Sequence, residues 1–306
     1  MVLTMRFEYY HEPTNINECL ELIVRYGTDG RILAGGTDLV VRLRSGQVRP
    51  KAVISLNGLS ELSNIKRNED GSVDIGAMAI LRDVMNSHLL AGEFDVIRQG
   101  AGHVSSMQVR NVATLGGNSC NAAPSADTVP GLIVAEAFAR IVGPEGGRSL
   151  PLEDFFLAPG KTALGEAEIL TGFHVPASPK NTGCSYKKYS IRGDTDLAIV
   201  GTAARLTLDG RGCVQSVRIA LGAVAPTPMR ALDAERILMG KHPDGDLLEQ
   251  SAAVASEESK PISDQRATAE YRREMVRVWT RHALTEAFQK ACNPRHEQKS
   301  GKRRLT

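Results

Sequence analysis

Two segments that contain adjacent glycines carry residue types suited to a phosphorylated ligand. The first consists of Leu33, Ala34, Gly35, Gly36, Thr37, Asp38, Leu39 and Val40. Adjacent glycines permit positive φ and lack side chains, so several backbone N–H groups can approach one anion. A strand-like run precedes the glycines and a helical pattern follows, which would add the positive end of a helix. The segment therefore predicts a pyrophosphate cradle; the alternative is a common Gly-Gly turn capped by Thr37 or Asp38.

The second segment combines two more glycines with hydroxyl, amide and carboxylate groups. Its candidate binding residues are Ala113, Thr114, Gly116, Gly117, Asn118, Cys120 and Asp127. A carboxylate such as Asp127 suits the paired hydroxyls of a ribose or ribityl chain, whereas it would repel a phosphate. One segment suits a phosphate and the other suits sugar hydroxyls. Together they predict a single extended dinucleotide ligand. The alternative is two unrelated surface turns.

Other kinds of site find little support. Neither GxGxxG nor GxxxxGK[ST] occurs in the chain, which argues against Rossmann and P-loop nucleotide sites. The five cysteines include no CxxC pair, so neither a local iron–sulfur cluster nor a zinc site is expected, and no metal ligands are assigned. An odd, scattered set of cysteines is typical of reduced thiols.

Composition narrows the class of protein further. Apolar residues make up 42% and charged residues 24% of the 306 residues, as in ordinary globular proteins, and the formal net charge is +2. This charge gives no indication of a nucleic-acid partner. The apolar runs are too short to span a bilayer. The opening MVLTMRFEYYHEP lacks the pattern of a signal peptide, so a cytoplasmic location is expected.

The elements that must position these residues follow from local patterns. Asn15 followed by Glu18 predicts a helix start, and Gly27 predicts its end. Strands are expected at Arg31–Ala34, Ala52–Leu56, Val73–Met78, Leu197–Leu208 and Val214–Val224, the last two joined by a hairpin turn at residues 209–212. Helices are expected at Thr37–Arg44, Leu81–Leu90, Phe94–Val104, Ala231–Met239, Asp246–Ser256 and Arg266–Ala291, with a helical or mixed pattern at Val129–Phe138.

The ordered combination of motifs resembles a known family. AGGTDL, then TLGGN with Asp127 nine residues beyond Asn118, is similar to the FAD-binding subunits of molybdenum hydroxylases, which include the medium subunit of carbon monoxide dehydrogenase and the flavin subunits of xanthine and nicotinate dehydrogenases. The opening FEYYHEPTNINECLELI, the strand VDIGAM and the closing SYKKYSIRGDTDLAIVGTAARLTLD extend the resemblance over almost the whole chain.

The resemblance implies an α+β fold. A FAD-binding domain of the vanillyl-alcohol-oxidase (PCMH) type would occupy residues 1–178, with subdomains of about 1–56 and 57–178. A C-terminal α+β domain with an antiparallel sheet and helices would occupy residues 184–292, beyond a boundary at 176–183. Residues 293–306 are polar and basic, and we expect a disordered tail there, or alternatively an arm that docks a partner.

The family pattern also assigns roles to residues. Leu33–Val40 would wrap the pyrophosphate, the TLGGN segment would line the FAD, and Asp127 would face its ribityl or ribose part. Leu170 and Lys188 match positions near the flavin. We expect non-covalent FAD, with Cys120 and His103 as packing residues rather than attachment points. No Cys-rich insertion follows TLGGN, so no extra iron–sulfur cluster is expected in this chain.

The implied function is electron transfer. Electrons would come from [2Fe-2S] clusters of a small partner subunit, originating at a molybdopterin site in a large subunit, and would leave FAD for NAD, oxygen or another acceptor. No catalytic acid, base or nucleophile is expected, since flavin carries this chemistry itself. The alternatives are a self-contained flavin oxidase of the same fold and a non-catalytic flavin-binding scaffold or sensor.

The segment Tyr186–Leu197 is expected to edge the flavin and to link the FAD domain to the long strands. A cation on the N1–C2 side of the isoalloxazine would stabilise reduced anionic flavin. Lys188 is the first candidate for this cation and Arg192 the second. The alternative is a solvated interdomain loop.

Overall fold

The first part of the chain folds as a small parallel sheet with a helix on it. The computed structural model describes residues 7–193 and 195–293. The elements of this part are β1 (Tyr9–His11), α1 (Ile16–Tyr26), β2 (Gly30–Leu33), α2 (Leu39–Arg44) and β3 (Ala52–Ser55), and the sheet order is β1-β3-β2. As the sequence predicts, the Asn15 side chain caps α1 by accepting a hydrogen bond from the backbone N–H of Glu18, and Gly27 ends the helix with φ of 45°.

A larger antiparallel sheet forms the second part. Its strands are β4 (Ile65–Arg67), β5 (Val73–Gly76), β6 (Phe138–Gly143), β7 (Gly146–Pro151) and β10 (Ile169–Val175), in the order β4-β5-β10-β6-β7. Helices α3 (Leu81–Asn86), α4 (Asp95–Gly102), α5 (Met107–Arg110), α6 (Leu115–Cys120) and α7 (Thr128–Val134) lie between β5 and β6, and a short hairpin of β8 (Phe156–Ala158) and β9 (Lys161–Thr162) lies between β7 and β10.

Four of the five strands in this sheet were not predicted from the sequence. Only β5 was predicted: β4 is three residues long, β7 begins with two glycines, and Gly172 interrupts β10. The burial of β10 also departs from simple alternation: five of its seven residues are buried. Two helical predictions were too long, since α3 ends at Asn86 and α7 ends at Val134, four residues before β6 begins.

The third part is a four-stranded antiparallel sheet covered by helices. Strands β11 (Thr182–Tyr189), β12 (Val200–Leu208), β13 (Val214–Gly222) and β14 (Met229–Arg230) lie in sequence order, followed by α8 (Leu232–Leu238), α9 (Gly245–Glu258) and α10 (Ala269–Cys292). The predicted hairpin turn between β12 and β13 is confirmed. The Asp209 carboxylate accepts hydrogen bonds from the N–H groups of Arg211 and Cys213, and Gly212 has φ of 80°.

The third sheet packs directly against the second part of the chain. Cys184 and Tyr186 of β11 belong to the same buried cluster as Phe173 of β10 and Leu115 of α6. Glu136, in the turn before β6, accepts hydrogen bonds from arginines of β12 and β13. This packing brings β11 beside α4 and α7. Within the described ranges, no helix is both long and apolar enough to cross a membrane.

A glycine in β11 permits a close approach between the third sheet and α10. A Cβ atom on Gly183 would lie 2.0 Å from the carbonyl oxygen of Ala287. We therefore expect Gly183→Ala to lower the free energy of unfolding by about 1–3 kcal/mol, because backbone has to move apart. Gly210→Ala, in the open hairpin turn with no atom within 4 Å, is the matched control and should change it by less than about 0.5 kcal/mol. Denaturant unfolding measures the free energy of unfolding of both variants. Equal values for the two variants would contradict this packing.

Candidate functional site

The first glycine segment follows β2 and carries backbone N–H groups that bond to no described residue. Gly36 has φ of 73°, a conformation that favours glycine. Across the described residues, the backbone N–H groups of Gly35, Gly36, Thr37 and Asp38 have no hydrogen-bond acceptor within the protein. Gly35, Gly36 and Thr37 are partly exposed and Asp38 is exposed. Four consecutive donors on one turn fit the phosphate-binding role that the sequence predicts.

The second glycine segment is a short helix rather than an open loop. Thr114 caps α6 by accepting a hydrogen bond from the N–H of Gly117 at 3.0 Å. The N–H groups of Leu115 and Gly116 bond to the carbonyls of Ala79 and Ala77. Because these donors are already used, this segment can serve a ligand mainly through side chains, which agrees with the expected difference between the two segments.

The two glycine segments lie against each other. A Cβ on Gly35 would lie 1.9 Å from the carbonyl oxygen of Val112, and one on Gly117 would lie 3.5 Å from the Cβ of Ala34. The Asn121 amide donates to the Asp38 carboxylate at 3.2 Å. The structure therefore joins the two segments into one surface, as a shared ligand would require; the individual contacts to that ligand remain predictions.

Asp127 and Lys188, to which the sequence analysis gave separate roles, form one buried ion pair. The Lys188 Nζ lies 2.9 Å from the Asp127 Oδ2, and the exposed fractions of the two side chains are 2% and 7%. Lys188 also donates to the carbonyl of His103 at 2.9 Å, and the Tyr186 hydroxyl donates to the Asp127 Oδ1 at 2.7 Å. Burial raises the pKa of the Asp127 carboxyl, while Lys188 and the Tyr186 hydroxyl oppose that rise.

Tyr186 was missed as a site residue. Its side chain is 2% exposed. It lies two positions before Lys188 on β11, so the two side chains share one face of the strand. This spacing was visible in the sequence, but it becomes informative only once residues 182–189 are known to form a strand.

The structure divides the segment Tyr186–Leu197 between the end of a strand and the residues that follow it, and its place at the edge of the flavin stays a prediction. Strand β11 continues to Tyr189, so Lys188 is held by a sheet and is buried. Arg192 lies in the following turn, pairs with Asp196 and has a side chain that is 79% exposed. Asp194 lies outside the described residues. The two cations that the sequence left as alternatives therefore differ sharply in environment.

Leu170 is buried in β10, beside the bulge between Leu170 and Gly172. The neighbouring carbonyl of Thr171 accepts a hydrogen bond from the N–H of Ala77, whose own carbonyl accepts from Gly116 of α6. This chain of bonds places β10 next to the second glycine segment. A contact between Leu170 and a flavin stays a prediction.

Cys120 packs against the buried core, and both Cys120 and His103 remain partly exposed. Burial raises the pKa of the Cys120 thiol to about 12, so it is neutral and a poor nucleophile at ordinary pH. The His103 ring packs against the Tyr186 ring, with 5.7 Å between the centroids. In the part of the chain that the structure describes, no group of three His, Cys, Asp or Glu side chains could hold a metal ion.

Two models of known protein domains together match most of the chain. Residues 5–178 match the model of the FAD binding domain in molybdopterin dehydrogenase, and residues 185–287 match that of the CO dehydrogenase flavoprotein C-terminal domain. The chain is 32% identical to the xanthine dehydrogenase FAD-binding subunit of Escherichia coli O157:H7, over 92% of this chain and 96% of that one. It is 33% identical to the carbon monoxide dehydrogenase medium chain of Afipia carboxidovorans, over 93% and 98%.

The fold agrees with these relatives. A carbon monoxide dehydrogenase structure from Hydrogenophaga pseudoflava superposes with a TM-score of 0.89 and 33% identity, over 95% of this chain and 99% of that one. The protein is thus an FAD-binding oxidoreductase subunit with the α+β fold that the resemblance implied. The chain belongs to the family of FAD-binding medium subunits of xanthine and carbon monoxide dehydrogenases.

The contact between the two glycine segments can be tested at Gly35. An added methyl group would collide with the backbone of Val112 and Ala113, so Gly35→Ala should separate the segments and raise the FAD dissociation constant at least about tenfold, roughly 1.4 kcal/mol. Gly245→Ala, at an open helix start with no atom within 4 Å, is the control and should leave FAD binding unchanged. Fluorescence titration of the apoproteins measures the constants; normal affinity in Gly35→Ala would remove this contact from the site.

Proposed function

We propose that this chain is the electron-transfer subunit of a molybdenum hydroxylase complex, with FAD held non-covalently across the two glycine segments. The observation that carries the proposal is the junction of these segments beside the buried Asp127–Lys188 pair. One side of the junction offers four backbone donors that no described residue uses, and the other offers polar side chains. This division suits a dinucleotide, which has a charged pyrophosphate and uncharged hydroxylated parts.

The residues present fit FAD. In the proposal, the N–H groups of Gly35 to Asp38 bind the pyrophosphate. The adjacent glycines have no side chains, so the charged pyrophosphate can come close to the backbone. Thr114, Gly117 and Asn118 line the cofactor, and the Asn118 side chain is oriented by a hydrogen bond that its Oδ1 accepts from the Thr128 hydroxyl at 2.6 Å. Asp127 has one donor on each carboxylate oxygen and retains lone pairs for ligand hydroxyls.

When bound, FAD supplies the exchange between two-electron and one-electron carriers. The chain's own residues would hold the cofactor, keep water from its inner face and set the electrostatic environment. Lys188 is the proposed tuning cation, because a buried ammonium acts through a lower effective dielectric than an exposed one. The exposed, Asp196-paired Arg192 is a weaker candidate for the same reason.

The partners are proposed from relatives. One related structure is titled a Cu,Mo-CO dehydrogenase, and one relative is named a medium chain, a term that implies smaller and larger companions. We propose that a small subunit with [2Fe-2S] clusters delivers electrons to this FAD, that a large molybdopterin subunit generates them, and that NAD, oxygen or another acceptor removes them. A self-contained oxidase or a flavin-binding sensor would need none of these partners.

Purification of the native assembly through a tag on this chain tests the function. We expect three kinds of subunit, molybdenum and iron in the complex, and flavin that is reduced by the complex's substrate only when all subunits are present. The isolated chain should contain FAD, but that substrate should not reduce it. A flavoprotein that purifies alone, free of iron and molybdenum, and is reduced by a small organic substrate would support the oxidase instead.

Replacement of the two candidate cations tests the tuning role. Lys188→Met should make the flavin midpoint potential more negative by more than about 30 mV, since that shift equals about 1.4 kcal/mol for a two-electron couple and the reduced anion loses a cation. Arg192→Met is the control from the exposed turn and should shift the potential by less. Spectroelectrochemical titration gives both potentials; equal shifts would mean that burial of Lys188 has no bearing on the flavin.

A further inference from the structure

We propose that Tyr186 is a positioning residue of the FAD site, whose hydroxyl orients the Asp127 carboxylate and through it Lys188. The inference rests on the proposed function, which places Asp127 and Lys188 beside the cofactor. Tyr186 itself is assigned no contact with FAD, and its effect is indirect.

Contacts from α4, from His103 directly after it and from β12 hold Tyr186 in place. Its backbone N–H donates to the Gln99 side-chain oxygen of α4 at 2.7 Å, and its ring packs against that of His103, which follows α4. On the neighbouring strand β12, a Cβ on Gly201 would lie 2.7 Å from the Tyr186 hydroxyl. Glycine at position 201 therefore leaves the space that the phenol occupies, and the hydroxyl has one defined direction, toward Asp127.

The hydrogen bond supplies what a buried carboxylate needs. Asp127 and Lys188 together are electrically neutral, but a carboxylate in a low-dielectric interior needs donors to both oxygens to remain ionised and oriented. Lys188 serves Oδ2, and Tyr186 serves Oδ1. Burial and the nearby Asp127 charge raise the pKa of the Tyr186 phenol well above its usual value, so this group stays a protonated donor.

The change would extend to Lys188, because two acceptors among the described residues locate its ammonium. One is the Asp127 Oδ2 and the other is the His103 carbonyl, both at 2.9 Å. If the Tyr186 hydroxyl is removed, the carboxylate can rotate about its last bond, and one of these two acceptors changes place. The field that Lys188 exerts on a nearby cofactor depends on its distance and would change as well.

The test is Tyr186→Phe in the full-length chain, which removes only the hydroxyl. The matched control is Tyr271→Phe on α10, where the lost hydroxyl bonds to the Tyr189 hydroxyl at the surface. Asp127→Asn and the double variant Tyr186→Phe/Asp127→Asn complete a double-mutant cycle. For each protein, the FAD dissociation constant and the flavin midpoint potential are measured, and circular dichroism verifies the fold.

We expect Tyr186→Phe to raise the FAD dissociation constant about five- to tenfold and to shift the potential in the same direction as Asp127→Asn, with Tyr271→Phe unchanged. The double variant should be no worse than Asp127→Asn alone, since the hydroxyl acts through that carboxylate. Additive losses, or no effect of Tyr186→Phe while Asp127→Asn and Lys188→Met are impaired, would overturn the positioning role. If Asp127→Asn and Lys188→Met also bind FAD normally with unchanged potentials, the failure lies in the proposed site.

Discussion

The buried contact between Asp127 and Lys188 ties the parts of this protein together. Asp127 directly precedes α7 in the second part of the chain, and Lys188 lies on β11 of the third sheet. Neither charge could remain buried alone, because an isolated ion loses several kcal/mol of hydration. The pair therefore forms only when the third sheet docks on α4 and α7. The ion pair of the site therefore forms together with the docking of the third sheet. A change that loosens this sheet also disturbs the site.

Close backbone contact is the second constraint on the site. Gly35 and Gly116 each lie where a single Cβ would collide with a neighbouring segment. Gly100 of α4 does the same beneath Asp127, since its Cβ would lie 2.7 Å from the Asp127 carbonyl oxygen. These glycines let the first glycine segment approach Val112, α6 approach Ala77, and α4 approach the start of α7. Close packing of the backbone thus determines where these segments lie. The polar groups of the site are positioned by that packing.

In the proposed function, this chain contributes to redox chemistry through the environment that it gives the flavin. Flavin provides the reactivity, and the protein determines where the cofactor lies, how much water reaches it and which charges it experiences. A lysine held by a carboxylate and a carbonyl in a dry interior is suited to this work, because its charge is fixed in position and weakly screened. An exposed arginine on a turn, such as Arg192, has neither property.

Local chemistry was readable from the sequence alone. The Asn15 cap, the stop at Gly27, the turn at Asp209 and both glycine segments follow from short-range rules in which a residue acts on neighbours a few positions away, and the ordered motifs were enough to indicate the family. The tertiary structure alone decided that Thr114–Asn118 begins a helix whose donors are already used, that Asp127 and Lys188 are partners, and that Tyr186 joins them. These facts depend on contacts between residues far apart in the chain. No local periodicity encodes such contacts, because burial and pairing of a charge are properties of the assembled interior.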